Sequence, residues 1–255
     1  MYKNDRGKLY FSPSDLTRFF ESEFVSWMDR YQKFHLKDGQ LSGVHRNPKD
    51  PLEELLAEKG LKHEDAVCKP LRKNGAFVEI SRDGTREAQL EETFRIMKEG
   101  PAIIYQAALQ NHELFGYADL LERRKGNSKL GDFYYAPLDM KISASPKPTA
   151  ILQLCAYADM LLTMQGVLPE QIAVITKDEE RHNYRTESFF FFYCYFKRKF
   201  LAFHKQFSKG DQPLPEKGDD HRDWSIYAKK ILHERDDVAL TARSRQTHIH
   251  SLPTS

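Results

Sequence analysis

Hydrophobic and polar positions alternate with period two in two stretches near the middle of the chain. They recur near every 3.6 residues on either side. In Leu114-Phe115-Gly116-Tyr117-Ala118-Asp119-Leu120-Leu121 the alternation predicts a strand with Phe115, Tyr117 and Asp119 on one face. In Tyr134-Tyr135-Ala136-Pro137-Leu138-Asp139-Met140-Lys141-Ile142 it puts Asp139 and Lys141 on one face and Leu138, Met140 and Ile142 on the other, as a core face. Residues 149–165, closed by Gly166, are apolar nearly all round and predict a buried helix. A helix over 85–98 turns Leu90, Phe94 and Met97 inward and stops at Gly100-Pro101. Ser12-Pro13-Ser14-Asp15 offers a helix start, followed by one amphipathic helix carrying Leu16, Phe19, Phe20, Phe24 and Trp27. A second helix over about 51–67 places Leu52, Leu55, Leu56 and His63 on or near one stripe. Short strands are expected at 76–81 and 171–177, and 102–109 with 112–122 make a hairpin around Gln110-Asn111. The basic run Glu122-Arg123-Arg124-Lys125-Gly126-Asn127 reads as a solvated turn into the Asp139 strand, with a second use against a nucleic-acid backbone. From Arg185 a strand and then a helix follow. The run Phe189-Phe190-Phe191-Phe192-Tyr193-Cys194-Tyr195-Phe196 reads as a buried strand or helix start, and Lys197-Arg198-Lys199 as a wet helix face.

These elements predict an α/β fold, a central mixed sheet of about five strands flanked by helices. Residues 1–207 form one domain. Residues 208–255 open with a Gly- and Pro-bearing linker and continue as a charged extension, in which His248 and His250 read as part of a disordered tail. Hydrophobic residues at 40% and aromatics at 12% suffice for a core, which excludes wholesale disorder. Lys and Arg number 39 against 37 Asp and Glu, so any phosphate-binding surface must be local. Cys68, Cys155 and Cys194 are far apart, which argues against a disulfide framework or a cysteine metal site. No apolar run reaches membrane-spanning length and residues 1–15 lack a signal core, so the expectation is a cytoplasmic chain with no membrane partner.

The chemistry concentrates between Phe115 and Tyr157. Two strands bring Asp119, Asp139 and Lys141 toward a common point. Two carboxylates suit magnesium, which takes oxygen ligands and keeps several waters. A lysine beside them orients or deprotonates a water, or balances charge on a phosphate. Gln153 and Tyr157 stand at i and i+4, hence on one helix face. They either steady such a site or are ordinary buried groups bonded to backbone. His63, taken alone, reads as a hydrogen-bonded core histidine.

In order, Gly116-Tyr117-Ala118-Asp119, Asp139-Met140-Lys141 and Gln153-Leu154-Cys155-Ala156-Tyr157 form G-x-x-D, D-x-K and Q-x-x-x-Y in a strand–strand–helix context. This set resembles the PD-(D/E)xK nuclease superfamily, and within it the RecB-like branch, over roughly residues 10–205. The resemblance implies a restriction-endonuclease-like core and metal-dependent hydrolysis of DNA. Asp119, Asp139, His63 and the Met140 carbonyl would hold magnesium or manganese. Lys141 would activate water, and Gln153 and Tyr157 would position the site. His63 would be the first ligand, with the adjacent Glu64 pointing elsewhere and serving as the fallback. Single- or double-stranded DNA is the implied partner, and a helicase, as partner or fused module, is another. Relatives often carry an iron–sulfur cluster; Glu21-Ser22-Glu23 and Asp220-His221-Arg222-Asp223-Trp224 stand at the matching segments without thiols, so no cluster is expected. The alternative reading is a catalytically inactive nucleic-acid-binding module or subunit with the same fold.

Overall fold

The computed structural model describes residues 1–35, 44–48, 51–73 and 76–235. His248 and His250 lie outside the described residues, as does most of the expected loop over 38–50. The chain divides into two compact units, Met1–Thr17 with Asp50–Phe200 and Arg18–Lys49 with Leu201–Ser255. Its elements, in order, are β1 (Tyr2–Lys3), β2 (Leu9–Tyr10), α1 (Pro13–Glu21), α2 (Glu23–His35), α3 (Pro51–Lys73), β3 (Phe77–Glu79) and α4 (Arg86–Glu99). Then come β4 (Ile103–Gln110), β5 (Phe115–Ser128), β6 (Gly131–Met140), α5 (Pro148–Gln165), β7 (Gln171–Ile175), β8 (Arg181–Arg185), α6 (Glu187–Lys205) and, after a short 3-10 turn, α7 (Ser225–Glu234).

The fold is α/β. The first unit holds a six-stranded mixed sheet in the order β3-β4-β5-β6-β7-β8, one strand more than expected. β3 runs parallel to β4 and β6 parallel to β7; the other neighbours are antiparallel. The two parallel joins need crossovers, and α4 and α5 supply them. α5 packs on β4, β6 and β7. Leu120, Leu138, Met140, Ala173 and Ile175 form one buried cluster with Val67 and Cys68 of α3.

β6 is paired along its length with β5 but meets β7 only from Leu138 onward. Upstream, the side-chain amide of Gln165 does the work of a missing strand. Its Oε1 accepts from Tyr135 N at 2.8 Å and its Nε2 donates to Tyr135 O at 3.0 Å. Gly166 then ends α5 in the left-handed region that glycine enters at little cost.

α4 is bounded as its sequence indicates. Thr85 Oγ1 accepts from Ala88 N at 3.2 Å, and Gly100, at φ 75°, closes the other end. Thr85→Ala is expected to cost about 1 kcal/mol, read from the midpoint of chemical denaturation. Its inward stripe is Gln89, Thr93, Ile96 and Met97, with Leu90 and Phe94 only half-buried. The two polar members are partnered: Gln89 donates to the Arg82 and Asp83 carbonyls, and Thr93 accepts from Ala108 N.

Several expectations change. The run from Glu122 to Asn127 is no turn: it continues β5, with Arg123, Arg124 and Lys125 facing Tyr135, Tyr134 and Phe133. Arg123 donates to the Gly100 carbonyl, and Arg124 pairs with Glu122. The aromatic run after Phe189 is helical and largely exposed, with Phe191 83% accessible. A helix spreads consecutive side chains over every direction, so only Tyr193 and Phe200 reach the core from this part of α6. Leu52, Leu55 and Leu56 of α3 are exposed as well, and α3 runs on past Val67 to Lys73.

In the second unit the expected single helix breaks at Ser22. This residue accepts from Ser26 N through its carbonyl while its own N–H goes to Arg18 O, ending one helix and starting the next. Phe24, Trp27, Met28, Tyr31 and Trp224 build this unit's core. Trp224 Nε1 donates to Asp29 Oδ1 at 3.0 Å, and Asp29 also receives Arg46 at 2.8 Å and Arg18 at 3.1 Å. The described part of 208–235 thus contributes a core residue. Among the described residues no helix is long and apolar enough to cross a membrane.

Candidate active site

The site lies where β5 and β6 part. Their ladder runs down to Leu120 opposite Leu138, which makes Asp119 and Asp139 the next facing positions. Beyond that point Met140 N donates to Asp119 Oδ2 at 3.1 Å, a side chain standing in for the next ladder acceptor. Leu138 and Met140 enter the apolar cluster, and alternation aims Asp139 the other way. Asp139 is 0% exposed.

Lys141 Nζ lies 3.0 Å from Asp139 Oδ1, to which it donates, and 2.9 Å from Oδ2. Burial, and then the Asp119 charge, push the Asp139 carboxyl well above its ordinary range, and Lys141 only partly opposes them. For Lys141 burial acts downward, but Asp139, Asp119 and Glu64 together outweigh it and raise the ammonium pKa. The centre is therefore short of positive charge: Asp119, Asp139 and Glu64 share one lysine.

Glu64 is the third carboxylate. Tyr105 donates its hydroxyl to Glu64 Oε2 at 3.1 Å. Burial and then the Asp119 charge raise the Glu64 pKa, against the Tyr105 hydrogen bond and Lys141. The expectation that Glu64 points away from the site is thus reversed. The signal was present in the helical phase. Val67, Cys68 and Leu71 are the buried or half-buried side of α3, and Glu64 stands three, four and seven positions before them, on the same stripe. His63, one residue earlier, is half-buried, and its Nε2 is buried without a hydrogen-bond partner.

Gln153 and Tyr157 meet as their spacing indicates. Gln153 Nε2 donates to Tyr157 Oη at 3.1 Å, and Tyr157 donates to the Tyr117 carbonyl at 2.7 Å. Burial, Asp119 and Asp139 all push the Tyr157 pKa upward, so it stays a neutral donor. The pair ties α5 to β5 two residues before Asp119. The structure therefore assembles Asp119, Asp139 and Lys141, with Gln153 and Tyr157 behind them and Glu64 near enough for its charge to act on Asp119 and Lys141. His63 is placed beside this group, and Met140 is held by its N–H.

Two residues near Asp119 escaped the sequence pattern. Gln106 stands in β4 between the partners of Leu120 and Ala118, at φ 58°, and Arg82 lies over the ring of Tyr117. Arg82 sits in a polar loop without periodicity, and Gln106 is a lone polar residue inside a largely apolar strand, so neither carries a signal. Among the described residues no three His, Cys, Asp or Glu side chains form a ready-made metal-binding group. No family model matches the chain, and no curated protein sequence matches it either.

Proposed function

We propose that the chain is a divalent-metal-dependent nuclease that hydrolyses DNA phosphodiesters. In this reading it is built on the restriction-endonuclease-like core of the PD-(D/E)xK superfamily and belongs to the RecB-like branch. The observation that carries the reading is the meeting of Asp119, Asp139 and Lys141 around the buried Asp139 carboxyl. A chance occurrence of these motifs in an unrelated interaction domain gives no reason for them to converge.

The donor set fits a hard cation. Magnesium needs only one or two protein carboxylates beside waters and substrate phosphate, and manganese accepts the same oxygen donors. Burial, and then the Asp119 charge, make ionised Asp139 costly, and a dication relieves that cost. We assign the metal to Asp119, Asp139 and the Met140 carbonyl. We place Glu64 ahead of His63 as the donor from α3, because its charge acts on Asp119 and Lys141. When bound, the ion supplies charge to a phosphoryl oxygen and lowers the pKa of a coordinated water.

The residues of the chain do the rest. Lys141 is an ammonium while three carboxylates surround it. With a dication on those carboxylates, less would oppose the burial that favours the neutral amine, and Lys141 would orient the attacking water or take its proton. Tyr157, through the Tyr117 carbonyl, and Gln153, through Tyr157, fix the strand that carries Asp119.

Labelled linear and circular DNA, single- and double-stranded, incubated with magnesium, manganese or chelator, tests the proposal. Metal-dependent cutting that is lost in Lys141→Ala is the expected result. A parent that binds DNA and cuts none of these substrates would replace it with the inactive binding module. Equal cutting by parent and variant would sink the assignment of the site.

A further inference from the structure

Arg82 lies in the loop between β3 and α4, away from every motif of the site, yet its side chain is held against that site. The guanidinium stands over the Tyr117 ring, 3.4 Å from its centroid. Tyr117 is two residues before Asp119 on the same face of β5. One guanidinium nitrogen donates to Gln106 Oε1. Gln106 lies between Tyr105, paired with Leu120, and Ala107, paired with Ala118, which puts its backbone level with Asp119. It does so at φ 58°, a region that side-chain-bearing residues rarely enter and that the surrounding structure must enforce. Gln89 completes the frame. Its Nε2 donates to the Arg82 carbonyl at 2.6 Å, and its Oε1 accepts from the Tyr117 hydroxyl.

The partners of this guanidinium are an aromatic face and a neutral amide oxygen. Among the described residues no carboxylate forms an ion pair with it, so its positive charge is oriented without being spent there. Arg82 is exposed to solvent, and its charge reaches the Tyr157 hydroxyl alongside those of Asp119 and Asp139. A planar guanidinium fixed by stacking presents its remaining N–H donors in the fork that matches phosphate oxygens. A site gathering three carboxylates needs such a cation if it is to receive a polyanion.

We propose that Arg82 is an anion-binding residue that takes a phosphate of the nucleic-acid strand seated at the Asp119–Asp139 centre. The location of that strand rests on the nuclease reading; the phosphate affinity of Arg82 does not. The phosphate is either an internal phosphodiester beside the scissile one or a terminal monophosphate.

The test measures binding, in chelator so that nothing is cut, of labelled single-stranded oligonucleotides bearing a 5′-phosphate or a 5′-hydroxyl. The full chain, Arg82→Gln and Arg82→Lys are compared over a series of salt concentrations. Arg82→Gln is expected to weaken binding about tenfold. It should also make the dependence of log K on log salt shallower by about 0.7, the value of one single-strand phosphate contact. Arg82→Lys keeps the slope and loses part of the affinity, which a purely structural role for Arg82 would not produce. An effect confined to the 5′-phosphorylated strand identifies a terminal phosphate; an equal effect on both identifies an internal one. Arg82→Gln matching the parent in affinity and slope on both strands overturns the proposal, as does a parent that binds neither. If the parent binds but never cuts with metal present, and Arg82→Gln still weakens binding, the nuclease reading fails while the role of Arg82 stands.

Discussion

Asp139→Asn is expected to abolish metal-dependent cleavage and, in chelator at pH 8, to leave the chain more stable than the parent. The two effects share one cause. Asp139 is fully buried, faces Asp119, and is pushed above the carboxylate range by burial first and by Asp119 second. Ionising it in the absence of metal works against folding, and the amide removes that burden while keeping the shape. The same amide withdraws the negative charge that would hold the ion. Metal-assisted stabilisation of a phosphoryl transition state is worth several kcal/mol, and each 1.36 kcal/mol is tenfold in rate, so the loss should reach about 10³-fold. Adding magnesium or manganese should reverse the order of melting temperatures, because only the parent gains from a ligand that binds the native state. A variant that cuts like the parent, or that melts below it in chelator at pH 8, would contradict this account.

The same linkage sets a pH dependence for the metal-free parent. Asp139 and Glu64 both have folded pKa values above their ordinary 3.8 and 4.5. Between the unfolded and the folded pKa the native state holds more protons than the unfolded chain, so stability falls as pH rises. It is greatest below about pH 4 as far as these two groups decide it, and the loss is complete once pH passes their folded values. Each unit of separation is worth about 1.4 kcal/mol. Thermal melts from pH 4 to 8 in chelator should show the decline, reduced in Asp139→Asn and reduced further when Glu64→Gln is added. A parent whose stability rises steadily over that range would contradict the raised carboxyls.

The strands that carry the site were legible because alternation is a local property. Phe115, Tyr117 and Asp119 share a face on any strand, and Asp139 with Lys141 likewise. The helix ending at Gly166 was legible for a similar reason: an all-round apolar run with glycine after it leaves few choices. What escaped depended on partners far away in sequence. The basic run after Glu122 has turn-like composition, yet Phe133, Tyr134 and Tyr135 offer it ladder partners, and β5 continues. The choice between His63 and Glu64 is one residue, a rotation of about 100° on a helix. The leucines that seemed to mark the inner stripe of α3 are at its exposed end. The aromatic run of α6 combined strong hydrophobicity with helical spread, so its side chains had to part company. Arg82 lay in a loop and Gln106 in an unremarked strand position, and the hydrogen bond that joins them links residues twenty-four positions apart.

Gly116→Ala is expected to destabilise the chain by about 2 kcal/mol and to lower cleavage about 10²-fold, although the position needs no unusual backbone angle. The reason is space. A methyl group at Gly116 would stand 2.7 Å from Pro13 Cδ and 3.3 Å from Tyr157 Cε1. Neither neighbour yields easily. Pro13 is a rigid ring inside a tight frame: Ser12 N and Oγ both donate to Asp15 Oδ2, and Phe11 exchanges backbone hydrogen bonds with Glu113 and Phe115 at 2.9 and 2.8 Å. Tyr157 is pinned by its hydroxyl to the Tyr117 carbonyl. Overpacking of this kind costs about 1–3 kcal/mol. The loss of chain entropy in the unfolded state returns only about 0.4–1 kcal/mol to an alanine, so the clash wins. Relief must come from β5 itself, and Asp119 is three residues away on that strand. A displacement of about 1 Å at a catalytic group is enough for a 10²-fold loss. Pro13→Ala removes the ring atoms that the new methyl would strike, so the double variant should recover much of both losses. A coupling energy near zero in that cycle, by denaturation or by rate, would mean that the close approach of Pro13 to Gly116 is not what holds Asp119 in place.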